Sequence, residues 1–231
     1  MKVYLPGIKS FILGRYSSLL IVLILLILLQ PSVKTDIGKY CLEFLFVAAL
    51  FAGLRAVHLR PALLRFLFVL LVAGLACTIL GAALDLSGLY ALGIGGRAAF
   101  LLLVALTILY DLFTPQRVTG DTLSGAICVY LLIAIIWAHG YLLIEFFVPE
   151  SFSFTQGHGR IEMWLSKEFF PFYYFSLVTM TTVGYGDMAP VTTEARTLAT
   201  MEAIAGQIYL AILVARLVGM HIAHSMEKEP E

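Results

Sequence analysis

Long apolar runs separated by short polar connections occupy almost the whole chain. A helix that crosses a bilayer needs roughly 20 predominantly apolar residues. Six stretches approach or exceed that length, namely Phe11–Gln30, Ile37–Leu54, Phe66–Leu84, Leu89–Phe113, Leu123–Val148 and Ala195–Ile222. The second stretch is the weakest, because Lys39 and Glu43 interrupt its start. The pattern predicts an all-α membrane protein with six transmembrane helices.

The basic residues in the connections indicate the orientation. Lysine and arginine are enriched in cytoplasmic connections. They cluster at the N-terminus and between the second and third runs, whereas the connection between the third and fourth runs carries only Asp85. Lys34 and Lys39 argue the other way. We therefore predict that both termini are cytoplasmic and that the longest connection, Pro149–Ala195, is extracytoplasmic.

Composition agrees with a protein embedded in a lipid bilayer and excludes several other classes. The chain has 231 residues, of which 61% are hydrophobic and 13% are charged, and its net charge is zero. A soluble domain carries about a quarter charged residues. No basic patch indicates nucleic acid, and no nucleophile–base set indicates an enzyme. Nine residues follow Ile222, too few for an attached soluble regulatory domain.

One stretch, "TMTTVGYGD" at Thr179–Asp187, does not fit a membrane helix. A short aromatic segment with Pro171 in its first turn precedes it, and this segment should enter the membrane and return. Irregular backbone at membrane depth is tolerated only where protein buries it or where it lines a wet path. If successive residues alternate between left- and right-handed backbone, with Gly184 and Gly186 on the left-handed side, their carbonyls can point one way. Such carbonyls can replace the water shell of a cation, and Asp187 places a carboxylate at the outer end.

The sequence "TTVGYGD" resembles the potassium channel family, whose selectivity filter is TVGYG. The resemblance covers about Leu123 to Ile222. It implies that the carbonyls of Thr182, Val183, Gly184 and Tyr185, with the Thr182 hydroxyl, coordinate K+, and that Gly186 and Asp187 complete the filter. We call Thr182–Asp187 the filter segment. K+ is the only bound ion implied, and no cofactor is expected. Each chain has one filter segment and a ring needs four, so the expected assembly is a homotetramer.

The last apolar run is expected to line the cavity and the gate. The resemblance implies a glycine hinge at Gly206. At about 100° per residue, Gln207, Leu210 and Val214 share one face. Gln207 would form a polar ring below the filter, although it could instead only bond a neighbouring helix. Arg216 lies on the opposite face and is expected to reach lipid headgroups.

The apolar runs predict a four-helix transmembrane domain at 1–121, and the resemblance, which says nothing of those residues, implies a pore domain at 122–223 followed by a short cytoplasmic tail at 224–231. A voltage sensor needs several arginines at every third position of the fourth span, and that span has only Arg97. The first domain is therefore not a conventional voltage sensor. Arg97 and Glu43 have matched depths, which predicts a structural ion pair, with a ligand or weak voltage site as the alternative.

Support for the filter is expected from buried polar residues. Val178 stands where some relatives carry a carboxylate behind the filter. Glu202 lies about 10 Å into the last span at 1.5 Å per residue, and His139 has a similar depth in the fifth. We expect Glu202 either to pair with His139 or to bond pore-helix hydroxyls such as Ser176. A neutral histidine and a protonated glutamate are the alternative.

Together these features predict a potassium-selective channel in a plasma or bacterial inner membrane, conducting K+ passively. One alternative is a potassium transporter component, although transporters of related design usually carry four degenerate filters in one chain. Another is a non-conducting channel subunit. His221 and His224 have helical spacing suited to a metal but lack a third ligand nearby. Nothing in the sequence indicates the gating stimulus.

Overall fold

The computed structural model describes residues 14–29, 45–49, 51–53, 61–114, 119–154 and 169–226. Residues 45–49 and 51–53 are helical. The other elements in chain order are α1 (Arg15–Leu28), α2 (Pro61–Ala83), α3 (Ser87–Phe113), α4 (Gly120–Phe147), β1 (Phe152–Phe154), α5 (Phe170–Met180), β2 (Met188–Pro190) and α6 (Thr193–Met226). The described chain is mostly helical, as predicted. The two short strands were not predicted.

Four of the described helices are long and apolar enough to cross a membrane. They are α2, α3, α4 and the Thr193–Arg216 part of α6. These helices coincide with the last four predicted stretches, which confirms a multi-pass membrane protein. The apolar helix α1 lies within Phe11–Gln30, but its 14 residues are shorter than a span. Much of the second stretch lies outside the described residues, so the six-span layout stays a prediction.

A short left-handed turn joins α2 to α3. Asp85 has a φ of 51°, and the Leu86 N–H donates to the carbonyl oxygen of Gly81 at 2.9 Å. This bond pattern is the Schellman ending of a helix, in which the residue after the cap adopts left-handed backbone. Asp tolerates that conformation better than most residues other than glycine. The turn folds α2 and α3 into an antiparallel hairpin.

The α2–α3 hairpin is packed backbone to backbone through small residues. A Cβ at Gly81 would lie 2.4 Å from the Tyr90 nitrogen, and a Cβ at Gly93 would lie 2.5 Å from the Thr78 nitrogen. Small residues allow helix backbones to approach this closely in membranes. The pattern continues to Gly74, where a Cβ would lie 3.2 Å from the backbone nitrogen of Arg97.

The described residues group into two compact units. The first combines α1 with Leu103–Leu131 and with the part of α6 after Leu210. The second contains Phe66–Leu102 and Leu132–Leu210. Each unit takes residues from both predicted domains, and the division at residue 121 stays a prediction.

Tyr16 is a polar anchor within the described part of the first unit. Its backbone N–H donates to Asp121 Oδ1 at 3.0 Å, and its hydroxyl donates to Asp111 Oδ2. The Cys128 thiol donates to the Tyr16 carbonyl oxygen at 3.4 Å. Gly125 makes room for the ring, because a Cβ there would lie 2.8 Å from Cδ2 of Tyr16. These contacts attach the start of α1 to α3 and α4.

An aromatic cluster forms the centre of the second unit. Tyr141, Phe152, Phe172 and Phe175 pack edge to face, with ring centroids 5.1 to 5.4 Å apart. Phe152 belongs to β1, which pairs antiparallel with β2. The cluster therefore connects α4, α5 and the strand that follows α4.

Candidate functional site

Helix α5 is too short to cross a membrane and leads directly into the filter segment. Its 11 residues extend about 16 Å at 1.5 Å per residue. Pro171 lies in its first turn, where a missing N–H costs nothing. Its buried residues include Phe172, Tyr173 and Ser176, which fix the helix within the second unit.

Helix α5 ends in a second Schellman motif, and this motif begins the filter segment. The Val183 N–H donates to the carbonyl oxygen of Val178, and the Thr182 N–H donates to that of Thr179, both at 3.0 Å. Thr182 occupies the left-handed position of the motif, with a φ of 58°. A β-branched residue rarely adopts this conformation, and backbone strain of this kind clusters at functional sites.

The backbone of the filter segment alternates in hand. Thr182, Gly184 and Gly186 have φ values of 58°, 59° and 75°, whereas Val183 and Tyr185 are not among the residues with positive φ. The sequence predicted this alternation at the two glycines, and the structure adds Thr182. A Cβ at Gly184 or Gly186 would meet nothing within 4 Å. Backbone conformation, and not lack of space, therefore requires glycine at these two positions.

The filter segment is exposed on a single subunit. The side chains of Val183 and Tyr185 are 50% and 70% exposed. The Thr182 hydroxyl donates to the Thr181 carbonyl oxygen at 2.7 Å. Much of the segment is thus left open to an ion or to another chain.

Asp187, at the outer end of the filter segment, has two partners. The Tyr174 hydroxyl donates to Oδ2 at 2.8 Å, and the Met188 N–H donates to Oδ1 at 3.1 Å. Partial desolvation, together with the hydrogen bond to Asp187, raises the pKa of Tyr174 to about 12. Tyr174 belongs to the short aromatic segment before the filter, and no polar partner was predicted for it. Its place 13 residues before Asp187 gave no signal of this bond.

Behind the filter segment, Glu202 connects three helices. It is completely buried. The Ser176 hydroxyl of α5 is hydrogen-bonded to Oε1, and the Tyr141 hydroxyl of α4 donates to Oε2. The bond to Ser176 is one of the two alternatives that the sequence left open. Tyr141 was missed, because one tyrosine in an apolar helix carries no pattern that identifies a polar partner. Val178 contributes its carbonyl to the end of α5 and no charge.

His139 is also buried, on α4. Its Nδ1 donates to the carbonyl oxygen of Ile135 at 2.7 Å, and its ring centroid lies 4.6 Å from that of Phe169. These contacts place His139 beside the start of α5. The role of His139 in filter support stays a prediction.

The residues assigned to the cavity lie along an exposed face of α6. Gln207, Leu210 and Val214 are exposed on the single subunit, whereas Gly206 is buried. A Cβ at Gly206 would lie 3.2 Å from the carbonyl oxygen of Met180, the last residue of α5. Gly206 therefore allows close approach of α6 to the end of the short helix. The hinge role of Gly206 and the gate role of Leu210 and Val214 stay predictions.

Arg216 has protein partners in the first unit. Its guanidinium lies 4.6 Å from the ring centroid of Phe113, in a cation–π geometry, and donates to the carbonyl oxygen of Thr114 at 3.4 Å. The sequence predicted contact with lipid headgroups. In the structure, Arg216 connects α6 to the end of α3, and its contact with lipid headgroups stays a prediction.

Two further predictions, the ion pair of Arg97 with Glu43 and a metal at His221 and His224, involve residues outside the described part of the chain. Glu43 and the side chains of His221 and His224 are not among the described residues. Arg97 is half-buried on α3, close to Gly74. The ion pair between Arg97 and Glu43 therefore stays a prediction. Within the described ranges, no group of three or more His, Cys, Asp or Glu side chains could hold a metal ion.

Comparison with known proteins relates the second half of the chain to ion channels. Residues 129–222 match a family model described as ion channel. The match contains most of α4, all of α5, the filter segment and most of α6. With the four apolar helices, it supports a multi-pass membrane ion channel. Ion channels are not enzymes, as the sequence predicted.

Individual relatives are more specific. The chain is 30% identical over 123 residues, 51% of its own length, to the voltage-gated potassium channel KCNC4 of Rattus norvegicus, Mus musculus and Homo sapiens. It spans about a fifth of the length of these curated relatives. No solved structure matches the chain significantly.

Proposed function

We propose that this protein is a potassium-selective ion channel that conducts K+ passively through a central pore formed by four copies of the chain. The observation that carries the proposal is the alternating backbone of the filter segment. Alternation directs successive carbonyls to one side, where they can replace the water around K+. The carbonyls of Thr182, Val183, Gly184 and Tyr185 would be the ligands. The similarity to potassium channels supports the choice of ion.

The exposed surfaces of the subunit support a tetramer. Lipid does not tolerate exposed irregular backbone, yet the filter segment is open on the single subunit. Helix α6 is also the least buried of the four candidate spans. A ring of four subunits would cover both and would place Gln207, Leu210 and Val214 toward the axis. Such a channel would lie in a plasma or bacterial inner membrane with both termini in the cytoplasm.

The alternatives make different use of the same residues. A transporter component would need further, degenerate filters from other chains or segments, whereas four identical copies of this segment are enough for a channel. A non-conducting subunit would have the same backbone and would pass no current. Current through the reconstituted protein therefore separates a conducting filter from a non-conducting subunit.

Potassium efflux from liposomes containing the purified protein tests the proposal. Gly184→Ala places a Cβ where φ is 59°, which costs roughly 1–2 kcal/mol in each subunit, and should abolish selective efflux while assembly remains. Gly88→Ala is the matched control, because a Cβ there meets nothing within 4 Å and no positive φ is involved. Unchanged potassium selectivity in Gly184→Ala would contradict the assignment.

A further inference from the structure

The hydrogen bonds around Glu202 form a chain in which the available protons can be counted. Its Oε2 contacts the Tyr141 hydroxyl and its Oε1 contacts the Ser176 hydroxyl. The Ser176 oxygen also lies 2.8 Å from the carbonyl oxygen of Ala134 on α4. Three oxygen–oxygen contacts at hydrogen-bond distance therefore follow one another.

Two hydroxyl protons cannot serve three contacts. Tyr141 and Ser176 have one hydroxyl proton each, and a carboxylate and a carbonyl have none. If Glu202 were ionised, either Ser176–Glu202 or Ser176–Ala134 would bring two oxygen lone pairs together. A proton on Glu202 supplies the missing donor. Glu202 then donates to Ser176, Ser176 donates to Ala134, and Tyr141 donates to Glu202.

The surroundings of Glu202 lead to the same conclusion independently. Its side chain has no exposed surface. Among the residues that the structure describes, its hydrogen-bond partners are Tyr141 and Ser176, and neither is a cation. A buried charge without a counter-ion is costly in protein and more so within a membrane. An uncharged acid avoids this cost and still satisfies every contact.

We infer that Glu202 is an uncharged carboxylic acid that relays hydrogen bonds between α4, α5 and α6. Tyr141 is then a positioning residue, because it acts on α5 through Glu202 and Ser176. Only the functional consequence, a fixed position of α5 behind the filter segment, rests on the proposed function. The protonation itself does not.

Infrared spectroscopy of the purified protein in lipid tests the protonation directly. At neutral pH, the difference between the parent protein and Glu202→Gln should contain the C=O stretching band of a protonated carboxyl group. Glu194→Gln is the matched control, since Glu194 is exposed in the first turn of α6 and should remove only carboxylate bands. If the difference between the parent protein and Glu202→Gln contains only carboxylate bands, the inference is overturned.

A second variant keeps the test valid where Glu202→Gln does not assemble. Tyr141→Phe removes the hydroxyl that donates to Oε2, so the protonated band should remain and shift in frequency. Absence of any protonated band in Tyr141→Phe and in the parent would overturn the inference. This readout needs no ion conduction, so its failure is distinct from failure of the proposed channel function.

The relay also predicts a ranking of variants. In Glu202→Gln, the amide can donate to Ser176 and accept from Tyr141, so the thermal midpoint of the assembled protein should match that of the parent. Glu202→Ala, which leaves the Tyr141 hydroxyl without its acceptor and the Ser176 oxygen without its donor, should lower the midpoint by several degrees and speed loss of current. Equal damage by Gln and Ala would mean that a charge is required, and would overturn the inference.

Discussion

Asp187 is held at the outer end of the filter segment by one side chain and one backbone group. The Tyr174 hydroxyl and the Met188 N–H each bind a different carboxylate oxygen. Because Tyr174 belongs to α5, this bond ties the outer end of the filter segment to the helix that precedes it. The bond closes a loop of backbone that contains all the proposed K+ ligands.

Tyr174→Phe should make sustained current decay faster while leaving the preference for K+ unchanged. The variant loses the hydroxyl that restrains Asp187, but the backbone alternation does not depend on it. Current through the reconstituted protein during a long voltage step measures the decay. Tyr110→Phe, at a position 78% exposed on α3, is the control. Equal decay in the parent and in Tyr174→Phe would show that this bond does not support the filter.

The raised pKa of Tyr174 determines where this residue makes filter stability depend on pH. Partial desolvation and the bond to Asp187 raise this pKa to about 12, so folding favours the neutral hydroxyl. The stabilising contribution is therefore complete below the ordinary tyrosine pKa of about 10, and it is lost as pH rises through about 12. Filter stability should show no titration from Tyr174 between about pH 6 and 9.

For single residues, the sequence predicted only those features that the residue type itself determines. The two glycines indicated left-handed backbone, because glycine alone adopts it freely. Thr182 gave no such indication, since a β-branched residue rarely has a positive φ. Its left-handed backbone is required only by the Schellman ending of α5. Glu202 was recognisable as a buried acid, but its choice between His139 and Ser176 depended on side-chain directions that depth along a helix does not determine.

Among the elements, the α2–α3 hairpin has little tolerance for added volume, because helix backbone lies against its glycines. The backbone atoms of Tyr90 cannot move away from a Cβ at Gly81 without shifting a helix. We expect Gly81→Ala to lower the apparent free energy of unfolding by about 1–3 kcal/mol. Chemical denaturation in detergent micelles measures this change.

Gly95 on α3 provides the control for this prediction. A Cβ at Gly95 meets nothing within 4 Å, so Gly95→Ala should be neutral or stabilising by up to about 1 kcal/mol, the gain in helix propensity. Equal effects of the two substitutions would contradict the close packing of α2 on α3.

The contact of Arg216 with the end of α3 can be tested by a double-mutant cycle. Arg216→Gln and Phe113→Leu should each destabilise the protein, and their combination should cost less than the sum by about 0.5–1 kcal/mol. Arg65→Gln, on an exposed side chain of α2, is the control for loss of a charge. Additive losses that depend on anionic lipid would favour the headgroup contact predicted from sequence.

The lengths of the apolar runs predicted the long helices reliably. No pattern in the sequence predicted the pairing of the two strands. Four predicted spans coincide with four helices, because a bilayer demands long apolar runs. The strands β1 and β2 have three residues each. Segments so short carry no alternating pattern, and their pairing depends on how α4 and α6 are placed.

For the whole molecule, the central claim is that four filter segments make one potassium-selective pore. The exposed filter segment and the exposed face of α6 are surfaces that one subunit leaves uncovered. In the proposed tetramer, symmetry would convert these surfaces into interfaces and a cavity. The sequence predicts four copies because one filter segment per chain cannot form a ring alone.

The reversal potential under bi-ionic conditions tests this claim most directly. Purified tetramers would be reconstituted in a planar bilayer with K+ on one side and Na+ on the other. The expected result is a current whose reversal potential lies far from zero, with the sign set by K+ flow, and which disappears in Gly184→Ala. A reversal potential near zero, or assembled tetramers that pass no current, would contradict a potassium-selective pore.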